Sequence, residues 1–263
     1  MMKDSIISNL PTECPWGDTL YWYPQVDSTN TLAKKMAKEG AAQGTVIIAG
    51  MQTGGRGRMG RSFQSPGGTG MYLSVILRPD CPAQDLMHLT CAAGVAAVTA
   101  VERATGICPG LKWINDLVLE KKKLGGILTE LSLNPKTGRV DYAVVGIGIN
   151  CGQPEGGFSA DVEKLAATLG GAVSPEALAA EMIAALWEMN SRLLTEKKAI
   201  MNAYRTLCVT LGRQITVIRG EDRFPAKAVD MDDDGGLVVL REGGRGETVS
   251  SGEVSVRGLW DYV

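Results

Sequence analysis

The most chemically informative stretch of the chain is residues 52–61 (QTGGRGRMGR), called here the Gly/Arg loop. Its glycines allow the backbone to curl closely around a ligand and to expose N–H groups. Arg56, Arg58 and Arg61 add permanently charged forks that suit phosphate or carboxylate oxygens. The stretch lacks the GK[ST] ending of a P-loop and the strand-to-helix junction of a dinucleotide-binding fingerprint. These residues favour a loop that closes on a small anion; the alternatives are a solvated basic loop and an RGG-like nucleic-acid contact.

A second candidate cluster is residues 112–116 (KWIND). A lysine at the start of a buried strand is costly unless an anion pairs with it, so Lys112 is expected to face an anionic ligand. Asn115 and Asp116 offer oxygen atoms of the kind that Mg²⁺ prefers, which makes Asp116 the candidate metal ligand. The alternative is a strand-edge lysine followed by a turn-forming Asn-Asp pair.

Glycines inside two predicted strands mark a third feature. Gly125 and Gly126 are adjacent within an apolar run, which indicates that a ligand or another backbone approaches closely. Residues 146–150 (GIGIN) alternate glycine with isoleucine, so one face of that strand is left open. Asn150 would sit at the mouth of this opening, with an amide able to read a base or a hydroxyl group. The lysines at 121–123 are interpreted as a solvated hairpin turn.

Periodicity and cap residues predict the elements that position these clusters. Alternation and apolar runs predict strands at 20–26, 45–49, 71–77, 111–119, 124–133 and 140–149. Helical spacing and caps predict helices at about 30–39, 85–105, 162–169, 175–193 and 197–207. From residue 212 onward, five short strands with turns predict a small antiparallel barrel. We therefore divide the chain into residues 1–209 and 210–263.

Composition excludes several classes of protein. Of the 263 residues, 44% are hydrophobic, which is enough for a core and excludes wholesale disorder. Lys and Arg total 27 against 29 Asp and Glu, so a basic field for nucleic acid or membranes is absent. No targeting pattern is evident, and no apolar run reaches the ~20 residues that span a bilayer, so we expect a cytoplasmic protein. The single histidine, His88, disfavours a Ser-His-Asp triad and a His-rich metal site.

The order of the motifs resembles one known family. The sequence is similar to biotin–protein ligase, also called biotin–[acetyl-CoA-carboxylase] ligase, in the order of five motifs: DSTN, QTGGRGRMGRSFQSPGGTGMYLS, KWINDL, KLGGIL with Glu130 two residues later, and GIGIN. The resemblance covers about residues 21–150 and continues more weakly to about 258. It implies an α+β fold with a central mixed β-sheet flanked by helices, as in class II synthetases, followed by an SH3-like β-barrel. DSTN begins at residue 27, so we expect the short type without an N-terminal helix-turn-helix and without DNA binding.

The resemblance also implies roles for individual residues. It implies that Lys112 bridges the biotin carboxylate and the ATP α-phosphate, and that Lys112 and Arg58 are catalytic. The residues implied to bind biotin are Ser28, Thr29, Asn30, Gln52, Arg56, Gly57, Arg58, Lys112, Gly125, Gly126 and Ile127. Those implied to bind the nucleotide are Arg58, Arg61, Phe63, Lys112, Asn115 and Asn150. Glu253 and Arg257 resemble positions that reach toward the active site. Two residues depart from the family pattern: Ile114 replaces a usual proline and Phe63 a frequent tryptophan.

The activity implied is ATP-dependent biotinylation of a lysine on a biotin carboxyl carrier protein, through biotinyl-5′-AMP. ATP and Mg²⁺ would be substrate and activating ion, without a tightly bound metal. The acceptor lysine would come from another chain, and a homodimer is compatible with the sequence. One alternative is a lipoate or octanoyl ligase or transferase of the same superfamily. The others are a noncatalytic biotin-binding module and a nucleic-acid-binding regulator, which 5% aromatic residues and the acidic run at 232–234 disfavour.

Overall fold

The main feature of the fold is a seven-stranded mixed sheet. The computed structural model describes residues 2–250 and the backbone of residues 255–258. The strands of this sheet are β1 (Leu20–Tyr23), β2 (Val46–Ala49), β3 (Gly70–Leu77), β4 (Gly110–Lys112), β5 (Asp116–Leu119), β6 (Lys122–Leu133) and β7 (Val140–Asn150). Their order is β1-β2-β3-β7-β6-β5-β4, with β1 and β2 parallel and every other pair antiparallel. The predicted mixed sheet is confirmed.

Helices cover both faces of this sheet. They are α1 (Met2–Ser8), α2 (Thr29–Lys38), α3 (Leu89–Thr105), α4 (Ala160–Glu163), α5 (Pro175–Arg192) and α6 (Lys197–Leu207). Two of these helices begin with a side-chain cap. Ser28 accepts a hydrogen bond from the Thr31 N–H at the start of α2, and Ser174 accepts one from Ala177 N–H at the start of α5.

Two separate apolar cores lie on the two faces of the sheet. The larger one lies between the sheet and helices α3, α5 and α6. The smaller one lies beneath α2 and consists of Ala33, Ala37, Ile47, Ile76, Tyr142 and Val144. Because the α2 core is small, it leaves much of that sheet face uncovered. The candidate site described below lies on this uncovered part.

Helix α3 is the apolar helix predicted at 85–105, and it begins later than predicted. A short 3₁₀ turn at Ala83–Leu86 precedes it, and the buried His88 is its N-cap residue. By length and composition the stretch Ala83–Thr105 passes as a membrane span, yet 67% of its apolar window is buried inside the fold. A core helix of this kind satisfies the same test.

The strand predicted at 111–119 is instead a hairpin. β4 and β5 are antiparallel neighbours, with Lys112 paired to Asp116, and residues 113–115 form the turn. The turn is held from outside: the Ile127 N–H donates to Asn115 O at 2.8 Å, and the Asn115 amide donates to Ile127 O at 3.0 Å. The Trp113–Ile114 peptide bond is cis. The prediction failed because the turn residues 113–115 include no glycine or proline to mark a turn in the sequence.

The C-terminal region forms a second, antiparallel sheet. Its strands are β8 (Gln214–Arg219), β9 (Asp222–Met231), β10 (Leu237–Arg241), β11 (Gly246–Val249) and β12 (Ser255–Gly258), in the order β11-β10-β9-β8-β12. The five predicted strands are confirmed. The edge strands are β11 and β12. Within the described residues no pairing joins them, so this part of the structure is an open sheet. Glu253 lies outside the described residues, and Arg257 is described only by its backbone. The division at residue 209 stays a prediction.

The turn between β9 and β10 packs against the β4–β5 turn. The buried Trp113 indole N–H donates to Gly235 O at 2.9 Å. Gly235 has a φ of +87°, and a Cβ there would lie 3.1 Å from Cys91 Sγ. Arg205 and Lys197 of α6 hold the same turn through Asp233 and Asp234. The second sheet therefore contacts the segment that carries Lys112 and Asn115.

Candidate active site

A cavity of about 540 Å³ opens on the α2 face of the large sheet. This volume is in the usual range for a small-molecule site. Its wall comes from the first turn of α2, the Gly/Arg loop, the β4–β5 turn and strands β6 and β7. The Gly/Arg loop, residues 112–116 and the strand glycines, which the sequence singles out, therefore all contribute to one cavity.

Glycines on β6 and β7 create the floor of the cavity. Side chains two apart on a strand share a face, so Tyr142 and Val144, which fill the α2 core, are followed on the same face by Gly146 and Gly148. Gly148 pairs with Gly126 of β6. The apolar packing beneath α2 thus stops where β7 changes from valine to glycine, and the missing side chains leave the cavity.

The end of the cavity near α2 is polar, and internal hydrogen bonds hold its side chains in place. Asn30 accepts from Ser74 Oγ at 2.6 Å and donates to Leu128 O at 3.1 Å. The side-chain Oε1 of Gln52 accepts two hydrogen bonds from Thr29, one from the backbone N–H at 2.8 Å and one from the hydroxyl at 3.1 Å. Because Ser28, Thr29 and Asn30 are each at most 4% exposed, these groups are held in fixed positions. They can recognise a neutral polar ligand by hydrogen bonds.

The rest of the wall is strongly cationic. Five lining residues carry a positive charge, namely Arg56, Arg58, Arg61, Lys112 and Lys123. Among the lining residues of the described chain, Asp116 is the single carboxylate, and it pairs with Lys123 at 2.6 Å. This surplus of positive charge suits an anionic ligand such as a phosphate or a carboxylate.

Arg58 lies deeper than the other arginines of the loop. Its guanidinium donates to Asn115 Oδ1 at 3.2 Å. Burial lowers the pKa of Arg58, and the nearby Asp116 carboxylate opposes this effect. An arginine remains charged at neutral pH despite such a shift. Arg58 therefore presents a fixed, poorly hydrated positive charge to the cavity.

The Gly/Arg loop folds into a tight hairpin above the cavity. The Gly57 N–H donates to Arg61 O at 2.7 Å, and the Phe63 N–H donates to Gly55 O at 2.9 Å. A Cβ on Gly55 would lie 2.2 Å from Phe63 O, so a side chain has no room there. The Phe63 ring lies over Gly148, and Lys123 Nζ is 5.9 Å from the ring centroid. The loop thus supplies both charge and an aromatic wall.

Most of the predicted site residues line this cavity. Those that do are Ser28, Thr29, Asn30, Gln52, Arg56, Gly57, Arg58, Arg61, Phe63, Lys112, Asn115, Asp116, Gly126 and Ile127. Gly125 and Asn150 are outside its wall. A Cβ on Gly125 would meet Gly148 O at 2.5 Å, so this glycine serves strand packing. The Asn150 amide donates to Ala167 O at 3.0 Å and holds the connection after β7.

Lys123 is the main lining residue that sequence reasoning missed. It was interpreted as part of a solvated turn, but the turn is formed by Glu120 and Lys121, which both have positive φ. β6 begins at Lys122, and the Lys123 backbone pairs with Leu165 and Ala167. The signal in the sequence was its position immediately before the strand predicted at 124–133, three residues before Gly126.

Comparison with known proteins agrees with this geometry. Residues 22–150 match the Biotin/lipoate A/B protein ligase family, and residues 210–257 match the Biotin protein ligase C terminal domain. The biotin–[acetyl-CoA-carboxylase] ligase of Mycobacterium tuberculosis is 34% identical over 239 residues, covering 88% of this chain and 86% of that protein. The bifunctional ligase/repressor BirA of Bacillus subtilis is 38% identical over 169 residues, 64% of this chain. That match spans 51% of the Bacillus protein, or about half of its length.

A solved structure extends the similarity to nearly the whole fold. The biotin protein ligase of Aquifex aeolicus in complex with biotin and ATP superposes with a TM-score of 0.76 and 29% identity, covering 91% of this chain and 99% of that one. The sequence matches, the two matched domains and the fold agree with one another. This chain belongs to the biotin protein ligase family.

Proposed function

We propose that this protein activates biotin with ATP and transfers it to a lysine of a biotin carboxyl carrier protein. The observation that carries the proposal is the division of one cavity into a neutral, hydrogen-bonding end and a cationic end. Biotin has the same division, with an uncharged ureido ring at one end and a carboxylate at the other. A lipoate-type substrate has no ureido group to use the hydrogen-bonding end, so we favour biotin over the lipoate or octanoyl alternative.

The neutral end supports ureido recognition. Ser28, Thr29, Asn30 and Gln52 supply hydroxyl and amide groups whose positions are fixed by their mutual contacts. The floor of Gly126, Gly146 and Gly148 leaves space for a bicyclic ring above the sheet. In this arrangement the valeryl chain of biotin runs along the floor toward the arginines and lysines, and Ile127 lies beside it.

The first chemical step joins two anions. A carboxylate oxygen of biotin attacks the α-phosphorus of ATP, a P–O bond forms, and pyrophosphate leaves with the electrons of the broken bond. Bringing the two anions together requires neutralisation of charge and accurate positioning. We assign this work to Lys112 and Arg58, together with Lys123, because all three line the cationic end. Arg61, Phe63 and Asn115 are the proposed nucleotide contacts in the wall, and Asn150 acts from outside it.

Mg²⁺ enters this proposal as a companion of ATP. No group of three or more metal-binding side chains occurs in the described part of the chain. Asp116 is the sole carboxylate of the described wall, and one of its oxygens already accepts a hydrogen bond from Lys123. Because Mg²⁺ in nucleotide sites is commonly held by one or two carboxylates plus phosphate oxygens, we propose Asp116 as its protein contact.

The second step is acyl transfer. The neutral amine of the acceptor lysine attacks the acyl carbon of biotinyl-5′-AMP, an amide bond forms, and AMP leaves. The mixed anhydride is sensitive to water, so the Gly/Arg loop above the cavity would protect it until the acceptor arrives. We propose the acceptor on a separate carrier chain and a cytoplasmic location, where the six free cysteines would stay reduced. A homodimer is compatible with this scheme, and neither DNA nor a membrane is among the proposed partners.

Pyrophosphate release tests the first step directly. The purified protein is incubated with MgATP and biotin, with MgATP and lipoate, or with MgATP alone. We expect release with biotin only, and mass spectrometry should then detect a gain of one biotinyl group on an added carrier domain. Release with lipoate would replace the substrate by the superfamily alternative. Folded protein that binds biotin without releasing pyrophosphate would identify a noncatalytic binding module.

A further inference from the structure

Glu130 is a charged residue beside the site to which the proposed chemistry gives no role. It lies on β6 and pairs with Val144, so it shares a face with Leu128 and Gly126. It is absent from the cavity wall, yet it contacts two residues that line that wall. A residue in this position acts on a ligand through its neighbours.

The two carboxylate oxygens of Glu130 have different partners. Oε2 accepts a hydrogen bond from the Asn30 amide at 3.0 Å, at the neutral end of the cavity. Oε1 accepts from Lys34 Nζ at 2.6 Å and lies 3.3 Å from Arg56 Nη1. Burial alone would raise the pKa of the Glu130 carboxyl, but the hydrogen bonds from Lys34 and Asn30 outweigh it and lower the pKa. Glu130 is therefore anionic at neutral pH.

Arg56 is the first arginine of the Gly/Arg loop, and Arg58 is the second. Arg56 reaches Glu130 on β6, whereas Arg58 reaches Asn115 in the β4–β5 turn. These contacts hold the loop at two separated points on the sheet. The Glu130 contact is an ion pair of partly exposed groups, since the side chains of Arg56 and Glu130 are 44% and 21% exposed. Such a pair can break and reform at small cost.

We propose that Glu130 is a positioning residue that holds the Gly/Arg loop closed through Arg56. The same carboxylate fixes Asn30, so it joins the ureido-binding end of the cavity to the loop that covers the cationic end. Breaking the Arg56–Glu130 pair leaves the loop attached through Arg58 and through the contacts that follow it, and the loop opens more often. The part of this inference that concerns the acyl-adenylate rests on the proposed function, but loop closure itself does not.

Hydrogen exchange without any ligand tests loop closure. We compare the wild type with Glu130→Gln, whose side-chain carbonyl can still accept from Asn30 but which lacks the negative charge. The matched control is Lys34→Met, which removes the other cation at Oε1 and leaves Arg56 in place. In peptides covering residues 54–64 we expect roughly twofold to fivefold faster exchange in Glu130→Gln, the size that a partly exposed ion pair would give. We expect wild-type exchange there in Lys34→Met.

Either of two results overturns the proposal. One is unchanged exchange of the loop in Glu130→Gln, and the other is equal acceleration in Lys34→Met, which would indicate a general loosening of α2 against β6. If Glu130→Gln does not fold, Arg56→Gln removes the same pair from its more exposed side and must give the same acceleration. Added KCl should accelerate loop exchange in the wild type and have little effect in Glu130→Gln, because salt screens this pair.

A second readout concerns the reaction intermediate. Enzyme loaded with radiolabelled biotin and MgATP, then freed of substrates, should lose biotinyl-5′-AMP roughly twofold to fivefold faster in Glu130→Gln than in Lys34→Met. In the double variant that carries both Glu130→Gln and Arg56→Gln, the two increases in the rate of adenylate loss should not add, since both changes remove the same ion pair. Additive losses would contradict the assignment. A wild type that forms no adenylate would refute the proposed function and leave the exchange result to decide the role of Glu130.

Discussion

Replacing Gly146 by alanine should damage the neutral end of the cavity, whereas the same change at Gly148 should not. Both glycines are on β7 and face the cavity, so each variant adds one methyl group to the same surface. A Cβ on Gly146 would lie 1.9 Å from Asn30 Oδ1. A Cβ on Gly148 would lie 2.7 Å from Cε1 of the Phe63 ring, which belongs to a surface loop and can shift. The buried Asn30 is therefore less free to move than the Phe63 ring.

The magnitude follows from what holds Asn30. Its side chain makes three hydrogen bonds, with Ser74 Oγ, Leu128 O and Glu130 Oε2. Moving it aside by about 1 Å weakens all three, at roughly 0.5–1.5 kcal/mol each. Replacing a strand glycine by alanine returns about 0.5–1 kcal/mol. We therefore expect Gly146→Ala to lower the free energy of unfolding by about 2 kcal/mol, with Gly148→Ala within about 1 kcal/mol of the wild type.

Denaturant titration and calorimetric biotin binding measure these two effects. Because an unmade hydrogen bond in a buried site costs about 1–3 kcal/mol and about 1.4 kcal/mol is tenfold in affinity, Gly146→Ala should bind biotin about tenfold more weakly. Gly148→Ala adds a methyl group to the floor of the proposed biotin site but leaves Asn30 in place, so it should weaken biotin binding less than Gly146→Ala does. It should also raise the KM for ATP, since Phe63 is a proposed nucleotide contact. Wild-type stability and biotin affinity in Gly146→Ala would refute the reasoning, as would a larger loss of stability in Gly148→Ala.

Three further predictions concern other parts of the molecule. Lys123→Met should reduce pyrophosphate release at least tenfold because it removes one positive charge from the cavity, whereas normal release would exclude Lys123 from the first step. Burial lowers the pKa of His88 in the folded protein. As the pH falls below the ordinary histidine pKa of about 6.5, the unfolded chain therefore binds a proton more readily than the folded one. The free energy of unfolding should then fall with falling pH. His88→Gln should lack that slope in titrations between pH 7 and 5, and an unchanged slope would refute the assignment. Trp113→Phe removes the hydrogen bond to Gly235 and should lower the free energy of unfolding by about 1–3 kcal/mol in denaturant titrations, and a wild-type value would refute the role given to this bond.

The parts of the structure that could be predicted from the sequence are those with local signals. The N-cap residues Ser28 and Ser174 predict the starts of α2 and α5, because a cap is a contact within three residues. The alternating glycines of β7 indicated an open strand face before any partner was known. The two matched stretches, 22–150 and 210–257, contain nearly all the motifs from which the site was predicted.

The parts that could not be predicted depend on distant contacts. The β4–β5 turn is held by Ile127 and Thr210, which are far from it in sequence. Lys123 has the local pattern of an exposed turn lysine. Its backbone hydrogen bond to Leu165 instead holds it in a strand, where it lines the cavity. Asn150 has the local pattern of a ligand contact, but residue 167 provides its partner. In each case the deciding contact lies 12 to 97 residues away along the chain.

The hydrogen bond between Trp113 and Gly235 has a consequence for exchanging parts between relatives. A C-terminal sheet grafted from another protein would have to bring a turn that offers a carbonyl to this indole. It would also need a glycine at position 235, because φ is positive there and a Cβ would lie 3.1 Å from Cys91 Sγ. A graft chosen by strand count alone would leave the indole N–H buried without an acceptor. Hybrids should therefore be built with the turn at 232–236 and the segment 112–116 taken from the same parent.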